Sequence, residues 1–333
     1  ATIWKTQIYE TIKIINKDTS LILQNNPSNI NTPELTLYDS IFSLFNILDE
    51  KSEFNINLKE PPSILNSSKI IDDKIVLYNK MVSEYQRNIF TDYIIQDTHI
   101  FSNKKSNNID TKSILRITSE LASLKTNLPN NWDTSVILRA SKQNLNIFTF
   151  IITGPKDTPY HNGIFEFHGY LENKYPSTTP KIILNTTGNG TVRFNPNLYN
   201  CGKVCLSLLG TWRGDASENW NSTSTLLQVF VSIQSLIFVE NPYYNEPGWE
   251  TQMHTTEGKI KSFKYTDNIR IETLRWGIID KIKNPTYGFE EFTKNHFLLK
   301  KDETISVIDI WIQESNRKNE LVKLQTELIE LLV

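Results

Sequence analysis

Phe194-Asn195-Pro196-Asn197-Leu198-Tyr199-Asn200-Cys201-Gly202-Lys203-Val204-Cys205-Leu206-Ser207-Leu208-Leu209-Gly210-Thr211-Trp212 is the most informative stretch of this chain. It is irregular in pattern and lies between two regular ones. Before it run four short β-rich segments, Ser135 to Arg139, Ile147 to Ile152, Ile164 to Leu171 and Lys181 to Leu184. Breaks of hairpin length containing Asn, Gly and Pro separate them, which predicts a four-stranded antiparallel meander. After it, Ser222 to Thr225 offers cap residues for a helix with Leu226, Val229, Phe230, Ile233, Leu236 and Ile237 on one side, whose apolar face is expected to cover the sheet. Ahead of the meander, Ile114, Ile117, Leu121 and Leu124 recur at helical steps from Asp110, and Pro129 ends the run. The pattern as a whole is α+β.

Outward from this centre the chain reads as helical at both ends. Thr32-Pro33-Glu34 opens a predicted helix over 35–48, with a cap residue followed by proline at the first helical position. The stretch from Phe101 to Asn108 is polar and reads as a linker. Helices are predicted again over 268–283, 288–300 and 303–332, with a break near Ser315. The expected organisation is a helical N-terminal region over 1–108, a central domain over 109–265 and a helical C-terminal extension over 266–333.

Composition excludes several classes of function. The 333 residues carry 35 basic and 37 acidic side chains, and a net charge of −2 provides no general attraction to nucleic acid or to anionic membranes. No apolar run approaches the length of a membrane span. The opening Ala1-Thr2-Ile3-Trp4-Lys5 lacks the pattern of a secretory signal, and the two cysteines do not form a bridging framework, so a reducing, intracellular setting is expected. Cys201 and Cys205 provide two metal ligands where zinc needs three or four, and no His cluster stands near them, so no metal and no cofactor is expected.

The central segment resembles the active-site segment of ubiquitin-conjugating enzymes, in which His-Pro-Asn is followed after seven residues by a catalytic Cys and Leu. Here Asn195-Pro196-Asn197 is followed after the same gap by Cys205-Leu206. Gly154-Pro155, Thr158-Pro159-Tyr160, Gly163-Ile164-Phe165 and Tyr175-Pro176 to Pro180-Lys181 are similar to the family's other signatures, in the family's order. Arg193 to Tyr199, Gln228 to Ile237, Pro242 to Gly248 and the stretch through Trp311-Ile312 resemble the giant BIR-containing, BRUCE-like group of that family. The likeness covers roughly residues 112–315. It implies the fold of that family, called UBC: an N-terminal helix, a four-stranded meander, an active-site loop and a covering helix. It also implies the partners ubiquitin, a ubiquitin-activating enzyme, a protein substrate and a ligase or larger assembly. No BIR-type zinc cluster is present, so the caspase-directed role of the giant members is not implied.

On this reading Cys205 is the thiol that holds ubiquitin as a thioester. A thiol is a soft nucleophile whose acyl product stays reactive, which makes thiol-to-thiol exchange nearly isoenergetic. By residue type alone Cys205 reads more readily as a buried structural cysteine, and it is the motif around it that favours catalysis. The exchange also requires the sulfur to be reachable from solvent, with room for a flexible protein tail. The Asn197 amide is placed to donate to the oxyanion formed when a lysine attacks the thioester, or else to bond the local backbone and stiffen the turn after Pro196. Asn195 replaces the family's His, a position implied to be structural. Cys201 reads as incidental.

Tyr199 and Tyr244 either frame an incoming lysine or merely pack. Ser207, Asn245 and Glu246 stand where the family often places a carboxylate that orients that lysine. Asp215 and Glu218 lie in an insertion-like flap with solvent-facing charges. Lys112, Arg116 and Lys125, on the polar face of the first helix of the central domain, match the region where the family meets its activating enzyme. Ser177, and Asn221-Ser222-Thr223 after Trp220, depart from the family's ligase-docking residues, which suits the implied combination of conjugation and ligation in the BRUCE-like group. Two alternatives stand beside this reading. One is a catalytically silent scaffold of the same fold. The other is a papain-like protease, for which only His254 or His296 is at convenient spacing and the flank of Cys205 is wrong.

Overall fold

The strands form where the β-rich runs predict. The computed structural model describes residues 62–90, 93–104, 109–141, 143–212 and 214–332. The helix predicted over 35–48 lies outside them. Among the described residues the chain enters through helix α1 (Pro62–Arg87), and α2 (Thr111–Asn127) precedes the sheet. Strands β1 (Val136–Ala140), β2 (Ile147–Thr153), β3 (Ile164–Tyr170) and β4 (Lys181–Leu184) follow in the order β1-β2-β3-β4, every pair antiparallel.

Register places Phe150 opposite Leu138 on one side and Phe167 on the other. These side chains share one face of the pleat and pack on Ile117, Leu121 and Leu124 of α2 and on Leu226, Val229 and Phe230 of the covering helix α3 (Leu226–Ser232). Phe150 stacks on Phe167 at 4.8 Å between centroids and meets Phe230 at 4.4 Å. Each fully buried ring of this kind contributes about 1.5–3 kcal/mol. Helix α3 starts where predicted because Thr225 and Gln228 form a reciprocal capping box, and a wider turn over Ile233–Ile237 carries it on.

The opposite face of the sheet is covered as well. Ile137, Ile151 and Ile164 point into a second core made with Tyr78 and Val82 of α1 and with the C-terminal helices. Those helices are α4 (Thr256–Glu272), which continues through a wide turn over Thr273–Ile279 into α5 (Asp280–Lys283), then α6 (Glu290–Leu299), α7 (Lys301–Glu314) and α8 (Lys318–Leu331). The break near Ser315 is present, with Ser315 in extended backbone between α7 and α8. Helix α4 begins well before the predicted Asn268. Thr255 caps it by accepting from the Gly258 N–H, and its buried positions include Gly258, Ser262 and Asp267, small or polar residues that hide the apolar period.

Polar residues on this second face are buried with partners. The Glu166 carboxylate accepts from Lys281 Nζ at 2.7 Å, Thr286 Oγ1 at 2.7 Å and Asn185 Nδ2 at 2.9 Å, and pairs with His168 Nε2 at 2.9 Å. Burial alone would raise its pKa, but the Lys281 charge and these hydrogen bonds outweigh that and hold it well below the usual carboxylate range. Arg139 donates to the carbonyls of Tyr85, Asn88 and Gly288. The stretch read as a linker from Phe101 is anchored at its start: Phe101 stacks on Tyr170 and the neighbouring His99 on His168 at 4.0 Å. Residues 105–108 of that stretch lie outside the described residues. No described helix is long and apolar enough to cross a membrane.

His99 and His296 are buried in this second layer. Burial, with the neighbouring charge of His168 or Lys300, lowers their pKa values to about 4 and about 3 from the ordinary 6.5. The unfolded chain therefore binds more protons than the folded one as pH falls below 6.5, and stability falls with it. Urea midpoints should show a loss of about 3 kcal/mol between about pH 6.5 and about pH 5, from two histidines each approaching about 1.4 kcal/mol per pH unit. A flat profile across that window would contradict neutral burial of both rings.

Candidate active site

The segment from Phe194 to Trp212 is fixed at both ends before it reaches its cysteine. Phe194 is sunk in the core edge-on to Phe165, and its carbonyl accepts from the Tyr160 hydroxyl at 2.7 Å. Asn195 is fully buried and acts as a hub. Its Nδ2 donates to the Ile237 carbonyl at 2.8 Å, at the end of the covering helix, and its Oδ1 accepts from the Asn197 N–H at 2.8 Å and from Asn245 Nδ2 at 3.3 Å. A tight turn then reverses the chain. Gly202 sits at φ +85°, where an added Cβ would lie 2.5 Å from the Leu184 carbonyl, so the approach to β4 admits only glycine. After the cysteine, Thr211 closes the loop by accepting from the Leu206 N–H and donating to the Val204 carbonyl.

Asn197 and Cys205 are joined directly. The Cys205 N–H donates to the Asn197 carbonyl at 2.8 Å, and Asn197 Nδ2 donates to the Cys205 carbonyl at 2.9 Å. The amide is thus committed to the backbone in this state, the local-bonding alternative foreseen for it. The Arg193 guanidinium lies over the Tyr199 ring at 4.4 Å, with Lys203 Nζ 5.7 Å from the same ring. Arg193 Nη2 in turn donates to the Pro196 carbonyl at 2.7 Å and to Glu246 at 3.1 Å.

One expectation is overturned. The sulfur was expected to be open to solvent, yet Cys205 is only 1% exposed. The cover is local rather than deep, since its neighbours Lys203, Arg193 and Cys201 are all exposed. Burial pushes the thiol pKa up, and the nearby Lys203 and Arg193 charges offset part of that rise.

The structure therefore brings together Cys205, Asn197, Tyr199, Asn245 and Glu246, through Asn195 and Arg193. Ser207 follows the cysteine at the start of a short turn, closely packed beneath Gly214 of the flap. Tyr244 points elsewhere, lining a cavity of about 430 Å³ with Lys259, Phe263 and Trp311. Lys112 is exposed. Lys125 lies over the Phe90 ring. Arg116 is engaged in structure: it donates to Glu120 and to the Ser224 carbonyl, while Glu120 also accepts from the Tyr175 hydroxyl and from the Leu226 N–H at the start of α3. His296 bonds Tyr78 and the Asn162 carbonyl rather than Cys205. Among the described residues no cluster of His, Cys, Asp and Glu is arranged to hold a metal. Sequence reasoning missed Arg193, Lys203 and Glu120, which carry no spacing signal and are revealed only by what they touch.

Comparison with known proteins gives this geometry its family. The family model described as ubiquitin-conjugating enzyme matches residues 116–270. A probable ubiquitin-conjugating enzyme of Acanthamoeba polyphaga mimivirus is 44% identical over 264 residues, 78% of this chain and 18% of that protein. A Homo sapiens protein named as a dual ubiquitin-conjugating enzyme and ubiquitin-protein ligase is 48% identical over 200 residues, 60% of this chain and 4% of its own length. A putative ubiquitin-conjugating enzyme of Arabidopsis thaliana is 34% identical over 256 residues, which cover 74% of this chain and 76% of the plant protein. The chain belongs to the ubiquitin-conjugating enzyme family, and its sheet and flanking helices are the UBC fold. The resemblance read from the central segment is thereby borne out.

Asn195→Ala would strand the Ile237 carbonyl and the Asn197 N–H in a dry interior. Its expected cost is about 1–3 kcal/mol in urea unfolding. A loss under about 0.5 kcal/mol would mean that water replaces the amide and that the hub is dispensable.

Proposed function

We propose that this chain accepts ubiquitin from a ubiquitin-activating enzyme as a thioester on Cys205 and passes it to a lysine of a protein substrate or of ubiquitin. The Cys205 thiolate attacks the carbonyl carbon at the ubiquitin C-terminus, and the activating enzyme's thiolate leaves. A lysine amine then attacks the same carbon, a C–N bond forms, the C–S bond breaks, and Sγ recovers a proton. The reading rests above all on one observation, a free cysteine tied through both backbone groups to the asparagine of the Asn-Pro-Asn turn, in the place where the family carries its thiol.

Around that thiol, Asn197 is the group proposed to stabilise the oxyanion, after its amide turns from the Cys205 carbonyl toward the reacting centre. Tyr199, Asn245 and Glu246 form the lysine's surroundings, with Ser207 and Tyr244 farther out. Lys112 and Lys125 are the proposed contact with the activating enzyme, with Arg116 contributing through its hold on α2 and α3. Built-in ligase character is part of the proposal, supported by the printed name of the human relative and by the departures at Ser177 and Asn221-Ser222-Thr223. We keep the division into 1–108, 109–265 and 266–333, and an intracellular setting. The coverage of Cys205 favours a second reading, a silent scaffold of the same fold.

Incubation with activating enzyme, ATP and ubiquitin should yield an adduct that reductant removes and that Cys205→Ser lacks as a thioester. Absence of any adduct on the intact protein would select the scaffold. Asn197→Ala should slow discharge onto free lysine by about a hundred-fold or more while loading changes little, the size expected for one oxyanion donor. Equal losses at both steps would assign Asn197 a purely structural part.

A further inference from the structure

The chain beyond the thiol folds back toward it. Leu206 is in extended backbone at φ −150° and ψ 134°, so the side chains of Cys205 and Ser207 leave the chain on the same side, with their Cα atoms about 7 Å apart. The flap that follows is pinned at both ends. Thr211 donates to the Val204 carbonyl and accepts from the Leu206 N–H, and the Trp220 indole donates to the Pro176 carbonyl at 2.7 Å while its ring packs on Tyr175. Between these anchors Gly214 lies against Ser207. A Cβ added at Gly214 would collide with the Ser207 hydroxyl and with the Glu218 carboxylate alike, so those two groups converge on one point beside the active-site segment. A single 3-10 turn over Ala216–Glu218, started by the Glu218 N–H donating to the Asp215 carbonyl at 2.9 Å, carries the carboxylate there.

We propose that Glu218 orients the acceptor lysine, its carboxylate receiving the ammonium beside Ser207 and aligning it toward Cys205. This rests on the reading of Cys205 as the ubiquitin acceptor. A lysine reaches the site as a cation, and charges near the thiol oppose it. Lys203 is exposed two residues before Cys205, Arg193 is 42% exposed, and both stand at the Tyr199 ring. A carboxylate on the approach offsets that repulsion. Glu246 is already paired with Arg193 at 3.1 Å, whereas Glu218 is exposed and enters no ion pair among the described residues. Glu218 takes no part in the covalent step: the aligned ammonium gives a proton to water, and the free amine attacks. An exposed carboxylate acting in this way changes a rate by about two- to five-fold.

The full chain, charged with ubiquitin on Cys205 and then freed of ATP, is discharged onto free lysine or onto hydroxylamine, an amine that is uncharged at neutral pH. Glu218→Gln should slow discharge onto lysine about two- to five-fold and leave loading and hydroxylamine release unchanged. Gly214→Ala keeps the carboxylate but forces it or the flap away from Ser207, and should slow lysine discharge while sparing hydroxylamine release. Asp215→Asn makes the same change of charge in the same flap and should alter neither.

Equal losses with lysine and hydroxylamine in Glu218→Gln would overturn the proposal, leaving Glu218 a support of the flap. Unchanged discharge onto lysine would overturn it outright. A loss in Asp215→Asn as large as in Glu218→Gln would replace it with a general effect of flap charge. Full lysine discharge in Gly214→Ala would overturn it by showing that the place beside Ser207 is immaterial. Normal charging and hydroxylamine release alongside any of these results would leave the conjugating function standing. A chain that never charges at all would remove that function and the proposal together.

Discussion

A charge in the wrong solvent sets the plan of this protein. Glu166 sits on the sheet face that carries the second core, and an uncompensated carboxylate buried there would cost several kcal/mol. The compensation comes from Lys281 and Thr286, more than a hundred residues along the chain, and from Asn185 and His168 close by. Because the carboxylate needs all of these donors, the C-terminal helices must lie on the sheet in one register. Arg139, bonded to carbonyls at the end of α1 and at Gly288, ties a second point of the same layer. The sheet consequently has a core on each face, and the loop over 158–163 is held from behind by Lys300 and His296 through Asn162.

With the sheet fixed on that side, the active-site segment is mounted on the other. Asn195 performs for this segment what Glu166 performs for the extension, since a single buried amide satisfies backbone groups of the covering helix and of the turn at once. Its reach to Asn245 brings the loop after the covering helix to the rim of the site, and Glu246 follows. The chemistry of the thiol is thereby subject to two opposed influences. Desolvation disfavours the thiolate, while Lys203 and Arg193 favour it. A thiol held mostly protonated at rest and flanked by cations suits exchange with another thioester, in which the charge appears only as the bond forms.

Much of the core was legible in the residues. The strands stand where the β-rich runs and the hairpin-length breaks between them place them, and α3 begins at the Thr225–Gln228 pair because capping is a local, side-chain-to-backbone matter. The break at Ser315 was equally local. Helix α4 was read too late because it buries Gly258, Ser262 and Asp267 rather than an apolar stripe, so its periodicity is silent until its neighbours are known. Phe101 was read into a linker because the ring that receives it, Tyr170, belongs to another part of the chain. Arg116 looked like a surface cation for the same reason; its partners Glu120 and Ser224 converge only when α2 meets α3.

By itself the sequence determined which cysteine is the candidate nucleophile, the asparagine beside it, the order of strands and the family to which they belong, because each of these is written in residue type and short spacing. Only the tertiary structure decided that Cys205 is covered, that Arg193 joins the Tyr199 ring to Glu246, and that the second face of the sheet is buried under α1 and the C-terminal helices. Those facts depend on which distant side chains share a few ångströms of space. Hydrogen bonds and desolvation act over such distances, whatever the separation along the chain.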